Sequence, residues 1–304
     1  MPRSNVAPVQ GKNMLFIELL LASLTLGGLY ALIAMGLTLQ YGVARIMNLS
    51  HGEFMVAAAF FSYWLVTSLG VHPLMALAVA VPLGFALQWV IYQLLLTPLV
   101  RRSPTADALE VDSILATFGI LFVVQGVLLI IFGGDYYSYD YLTVPVNVLG
   151  TAVAANRLLA AGAAIVIGLA VYVVLVKSRW GASLRAMANA PQFAHLVGIN
   201  PRAMAAFAFA LGGALVAGAG VLVSMFLPFS TYIGVAFTMK ALVIVIMGGV
   251  GNLLGCILAG LLLGVVETLV SRFVDPGLTM AATFTIFLLV LLLRPQGIFG
   301  RAGK

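Results

Sequence analysis

Apolar runs at about 14–40, 54–70, 74–97, 113–133, 157–176, 204–227, 236–270 and 277–293 take up most of this chain. A helix needs about 20 apolar residues to cross the hydrocarbon core of a bilayer. In lipid, every backbone polar group must also be satisfied inside the protein. Together these facts predict an all-α polytopic membrane protein, a single transmembrane domain over residues 1–304. The 236–270 run is too long for one crossing, and Gly248-Gly249-Val250-Gly251-Asn252 interrupts it, so it divides into a short segment and a full helix. The expected count is eight to nine transmembrane helices, with broken or re-entrant segments near 45–53 and 248–252.

Composition agrees: charged residues are 8% of the chain, against about 25% in soluble domains. The net charge of +6 comes from basic residues in the loops between apolar runs, where membrane topology accounts for them and nucleic acid does not. The one cysteine, Cys256, excludes an intrachain disulfide and a cysteine-based metal cluster. The first apolar run exceeds the ~7–15-residue core of a signal peptide and reads as a membrane helix.

Lysine and arginine orient the chain. The loop at 177–203 holds Lys177, Arg179, Arg185 and Arg202 without an acid and is expected in the cytoplasm. The 134–156 loop holds Asp135 and Asp140 without a base and suits the outside. Arg294, Arg301 and Lys304 place the tail inside, which requires an even number of crossings between 227 and 277. The N-terminus is then outside, although Arg3 and Lys12 argue the other way.

Small residues recur at Gly213/Ala217, Ala214/Gly218, Gly251/Gly255 and Gly260/Gly264, a spacing that lets helices approach closely. They serve either packing within the chain or a seam with another subunit. Tyr136, Tyr137, Tyr139 and Tyr141 fit an interfacial aromatic belt or an external docking surface.

Two polar stretches carry the candidate chemistry. In the basic loop, Trp180 to Ala188 reads as a short helix, Pro191 as the start of another, Gly198 as a left-handed cap, and Asn200-Pro201 as the start of the next span. This punctuation belongs to an ordinary ordered loop or to a docking helix for a cytoplasmic partner. The other stretch is Arg45 to Glu53, where Ser50 and Glu53 have capping-box spacing. Arg45, Asn48 and His51 are left over, and polar groups at membrane depth often mark a solute path. With Gln40 and Gln125 in the spans and Asn252 at the glycine break, the candidate translocation-path set is Gln40, Arg45, Asn48, Ser50, His51, Glu53, Gln125 and Asn252. Asn48-Leu49 and Asn252-Leu253 each follow a break, a weak trace of internal duplication. No metal-ligand spacing, catalytic set or Walker A sequence occurs, so neither enzyme chemistry nor a bound cofactor is expected of this chain.

Gly28-Leu29-Tyr30-Ala31-Leu32, Met35 to Leu39, Met47 to Met55, Arg185-Ala186, Leu196 to Asn200, Gly248 to Asn252 with Gly255, and Arg294 to Gly300 resemble the membrane permeases of branched-chain amino acid ABC importers, H-type subunit. The resemblance implies a bacterial inner-membrane protein with a second, similar permease, two cytoplasmic ATPases that hydrolyse the ATP, and a periplasmic solute-binding protein. It also implies that 181–200 is the ATPase-coupling segment, with Arg185, Asn189, Pro191, His195, Gly198, Ile199, Asn200 and Arg202 as candidate coupling residues. Two departures are the missing acids around Ala188-Asn189-Ala190, together with Pro191, and the Met1–Asn13 extension. Importers of urea, amides or small organic acids share the family, and an ion-coupled secondary transporter is the reading from another class.

Overall fold

The computed structural model describes residues 9–148 and 150–300; Arg3, Arg301 and Lys304, used above for orientation, lie outside them, as does most of the Met1–Asn13 extension. Helix α1 (Val9–Ala44) ends where Arg45 turns left-handed, and α2 (His51–Leu69) follows after six residues. Helix α3 (Pro73–Ile91) passes through a π turn at Tyr92–Leu96 into α4 (Thr97–Arg102). Thr105 caps α5 (Ala106–Phe132) by accepting from the Ala108 amide. The following loop holds a feature the all-α expectation lacks, an antiparallel hairpin of β1 (Pro145–Val148) and β2 (Thr151–Ala154). Then come α6 (Ala155–Lys177), the short α7 (Arg179–Asn189), a 3-10 turn at Pro191–Val197, α8 (Pro201–Ser224), α9 (Ile233–Gly248), α10 (Leu253–Phe273) and α11 (Thr279–Leu293).

Among the described residues, eight helical stretches are long and apolar enough to cross a membrane, and the 16-residue α9 is a shorter apolar helix. Eight to nine crossings therefore stands, with breaks at 45–50 and 249–252. The protein is a multi-pass membrane protein.

Helix α8 is the centre of the bundle, 89% buried over its most apolar window, with α1, α2 and α3 packed round it. The small-residue pairs serve this packing. A Cβ on Gly213 would strike Gln88 of α3, and one on Gly220 would strike the Met55 backbone of α2. Helices α1 and α10 run antiparallel, since Gly27 lies against Gly264, Ala31 against Gly260 and Thr38 against Cys256. Without a hydrophobic drive between helices in lipid, such close backbone contact supplies much of the association energy.

The two ends separate as the basic residues predict. At one end, Tyr137 pairs with Phe229 through backbone hydrogen bonds of 2.7 and 2.9 Å, and the Thr151 hydroxyl donates to the Met14 carbonyl. The start of α1 thus shares an end with the 134–156 loop. At the other end, Arg45, Arg185, Asn189, Asn252 and Gln296 line one cavity, bringing together the basic loop, the glycine break and the tail. The tyrosines are mostly packing groups. Tyr137 stacks edge-on with Phe60 and Tyr63, Tyr139 reaches Ser224 at 3.1 Å, Tyr141 meets His72 at 2.6 Å, and Tyr136 alone of the four is largely exposed.

Candidate functional site

Five of the eight predicted path residues come together. Gln40, Asn48, Ser50, His51 and Glu53 are each at most 1% exposed, in the space between the end of α1 and the start of α2. Gln40 donates to the Phe209 carbonyl of α8 at 3.0 Å, and its own oxygen accepts from the Asn48 amide at 3.0 Å. Asn48 Oδ1 accepts from the Ser50 amide at 3.1 Å and the Ser50 hydroxyl at 2.6 Å. These bonds turn the chain back into the bundle and begin α2 there.

The capping box predicted from Ser50 and Glu53 is not formed. The Ser50 hydroxyl is spent on Asn48, and the backbone of Ser50 (φ −81, ψ 3) lacks the extended N-cap conformation. The first turn of α2 is satisfied from elsewhere: Gly52 donates to the Thr238 hydroxyl of α9 at 2.8 Å. His51 Nε2 lies 3.0 Å from the Ile33 carbonyl, which only accepts, so Nε2 carries the hydrogen. His51 Nδ1 and both Glu53 carboxyl oxygens are buried without a hydrogen-bond partner among the described residues. Glu53 presses on Gly234, where a Cβ would strike its carboxyl group, so glycine is required there.

The starts of α2 and α9 therefore meet inside the bundle. Asn252, grouped with Asn48 in the candidate path set, lies apart from this joint. Asn252 instead caps α10, accepting from Gly255 at 3.1 Å, and donates to the Phe299 carbonyl of the tail at 2.9 Å. Asn252 and Arg45 line the end cavity of about 650 Å³ together with Arg185 and Asn189, predicted coupling residues. Gln125, half-buried on α5, joins neither group.

The basic loop has the punctuation predicted. Ser178 caps α7 by accepting from Gly181 at 3.0 Å. Gly181 lies so close to the end of α6 that a Cβ would strike the Leu175 carbonyl, to which Arg185 also donates. Trp180 stacks on Phe207 of α8 at 5.4 Å. Pro191 opens the 3-10 turn, Gly198 closes it at φ 75, and the Asn200 side chain accepts from the Arg202 and Ala203 amides. Asn189 donates to the Arg185 carbonyl, Ile199 bonds back to Ala194, and His195 and Arg202 face outward. Phe193, Leu196 and Val197 stand 59–71% exposed at the tip.

Residues 19–293 match the family described as the branched-chain amino acid transport system / permease component. The chain belongs to this permease family. It is 29% identical over 301 residues to the high-affinity branched-chain amino acid transport system permease protein LivH of Salmonella typhimurium, covering 94% of this chain and 96% of that protein. To the LivH protein of Escherichia coli it is 28% identical over 307 residues, and to BraD of Pseudomonas aeruginosa 28% over 306, with the same coverages.

In this permease, three groups stand outside the site residues predicted from sequence. Thr238 carries no motif, because its role depends on a helix 186 residues away in the chain. Lys240 and Glu267 form a salt bridge of 2.6 Å, with the Tyr30 hydroxyl 2.8 Å from the same ammonium. Opposite charges in neighbouring apolar runs were the available signal, since ionisable groups inside a membrane pair with one another. Gln88 of α3 is the third.

Proposed function

We propose that this chain is the membrane-spanning subunit of an ATP-driven importer for branched-chain or related hydrophobic amino acids in a bacterial inner membrane. The observation that carries the reading is the segment 179–200. It is a short helix and 3-10 turn packed on α1, α6 and α8 and capped at both ends, with apolar residues exposed on the arginine-rich end of a membrane protein. Exposed Phe193, Leu196 and Val197 suit a groove on a cytoplasmic partner, and a segment capped at both ends and packed on three helices transmits movement where a flexible linker would absorb it. The partners are two ATPase subunits that bind and hydrolyse ATP, a second permease completing the path, and a periplasmic binding protein that delivers the solute. The solute class follows the names of the relatives.

Glu53, buried without a hydrogen-bond partner among the described residues, is the feature an ion-coupled transporter would use instead. Leucine uptake into vesicles carrying the assembled transporter separates the two. Uptake is expected to stop when ATP is depleted with the proton gradient intact. Uptake that persists under those conditions, and stops on dissipating the gradient, would overturn the ATP-driven reading.

A further inference from the structure

The cavity of about 650 Å³ at the basic end is lined by Arg45, just past α1, and by Arg185 of α7. Both arginines are exposed. Among the described residues no acid lines the cavity, and neither arginine has an ion-pair partner. Glu110, bonded to the Tyr41 hydroxyl at 2.8 Å, lies outside the lining. One Arg185 N–H is spent on the Leu175 carbonyl, which leaves the other donors of that guanidinium for a ligand. Arg45 has φ 56, a left-handed conformation that glycine would adopt at lower cost. Strain of this kind gathers at functional sites, and here it places a cationic side chain in the cavity.

We propose that this cavity binds the phosphate of an anionic phospholipid from the cytoplasmic leaflet, with Arg45 and Arg185 as its ligands. The inference needs only the membrane-spanning fold and its orientation, and is independent of the solute. A guanidinium offers phosphate oxygens paired N–H donors in a fixed fork. Uncompensated cations between helices at the cytoplasmic surface attract anionic headgroups. The volume falls within the ~300–1,000 Å³ of small-ligand sites. The apolar lining decides for a lipid over a free phosphate ion. Val176 of α6 and Leu254 of α10 are exposed at the cavity, and Leu258 and Leu262 continue the exposed face of α10 beyond it. Residues four apart share a helix face, so an acyl chain attached to the bound phosphate has an apolar track into the bilayer. The cavity is walled by α7, the end of α1 and the tail at Gln296, so a bound lipid ties the capped segment to the bundle.

The test is native mass spectrometry of the protein purified with its bound subunits. It is titrated with phosphatidylglycerol, with phosphatidylcholine of the same chains, and with glycerol 1-phosphate as competitor. Phosphatidylglycerol is expected to be retained in excess over phosphatidylcholine, and equal glycerol 1-phosphate is expected not to displace it. Arg45→Gly removes the charge while easing the backbone, and is expected to weaken retention about fivefold, as is Arg185→Gln. Arg102→Gln removes an exposed charge of α4 at the same end but outside the cavity, and is expected to leave retention unchanged. Equal retention of the two lipids, an unchanged titration in either cavity variant, or an equal loss in Arg102→Gln overturns the site. Displacement by glycerol 1-phosphate makes the ligand a soluble phosphate and overturns the lipid assignment. Retention only after the ATPase subunits are stripped makes an acidic surface of those subunits the partner, and also overturns it.

Discussion

The amide of Gly52 donates to the hydroxyl of Thr238 at 2.8 Å, so the first turn of α2 is capped by a side chain from another helix. The same hydroxyl donates to the Gly234 carbonyl at 3.1 Å, leaving its donor and acceptor both used. Thr238→Val keeps the shape and removes the acceptor, stranding a buried N–H at a cost of about 1–3 kcal/mol. The expected result is a lower thermal midpoint for the purified protein in detergent. An unchanged midpoint would mean the Gly52 amide finds another acceptor.

Asn48, rather than Ser50, holds the turn before α2. Asn48→Ala strands the Gln40 oxygen together with the Ser50 amide and hydroxyl, and is expected to cost about 2 kcal/mol or more. Ser50→Ala removes one hydroxyl bond and is expected to cost about 1 kcal/mol. The order of the two thermal midpoints checks this; the reverse order would restore the capping box.

The Lys240–Glu267 pair has side chains only 11% and 12% exposed, so each charge relies on the other. Lys240→Met leaves a buried carboxylate uncompensated and is expected to destabilise by about 3–5 kcal/mol. The double variant Lys240→Met/Glu267→Leu is expected to recover most of that loss, because both charges leave together. Thermal unfolding of the two single variants and the double variant measures the coupling, and purely additive losses would contradict it.

Gly198 has φ 75 and no heavy atom within 4 Å of where a Cβ would sit. A substitution there strains the backbone without a steric clash. Gly198→Val is expected to impair ATPase co-purification and the stimulation of hydrolysis by loaded binding protein, whereas Gly198→Asn, a residue more tolerant of left-handed backbone, loses less. The protein should still insert, since the spans are untouched. Equal behaviour of both variants and the wild type would remove this segment from the coupling role.

The native Cys256 is buried, so introduced cysteines report without background. Gln192→Cys in the basic loop should react with a membrane-impermeant reagent only from the cytoplasmic side, and Ser138→Cys only from outside. Both positions are exposed. Labelling of both from one side would overturn the orientation drawn from lysine and arginine.

The sequence by itself determined the spans, the presence of breaks near 45–53 and 248–252, the separation of the basic and acidic ends, and the caps at Pro191, Gly198 and Asn200. Each depends on neighbours in the chain: a run of apolar residues must be long enough for the bilayer, and glycine, proline or asparagine acts on backbone within a few residues. Only the tertiary structure decided which polar groups meet. Ser50 and Glu53 have the right spacing for a local cap, yet Asn48 and Thr238 take those bonds and Glu53 is turned against Gly234. Likewise, Lys240 finds Glu267 and Tyr30 on different helices, and the Gln88 amide is buried without a hydrogen-bond partner among the described residues. In an apolar bundle a polar side chain bonds to whatever partner lies within reach, and close packing of small residues sets that reach. Sequence spacing carries that information only inside one helix.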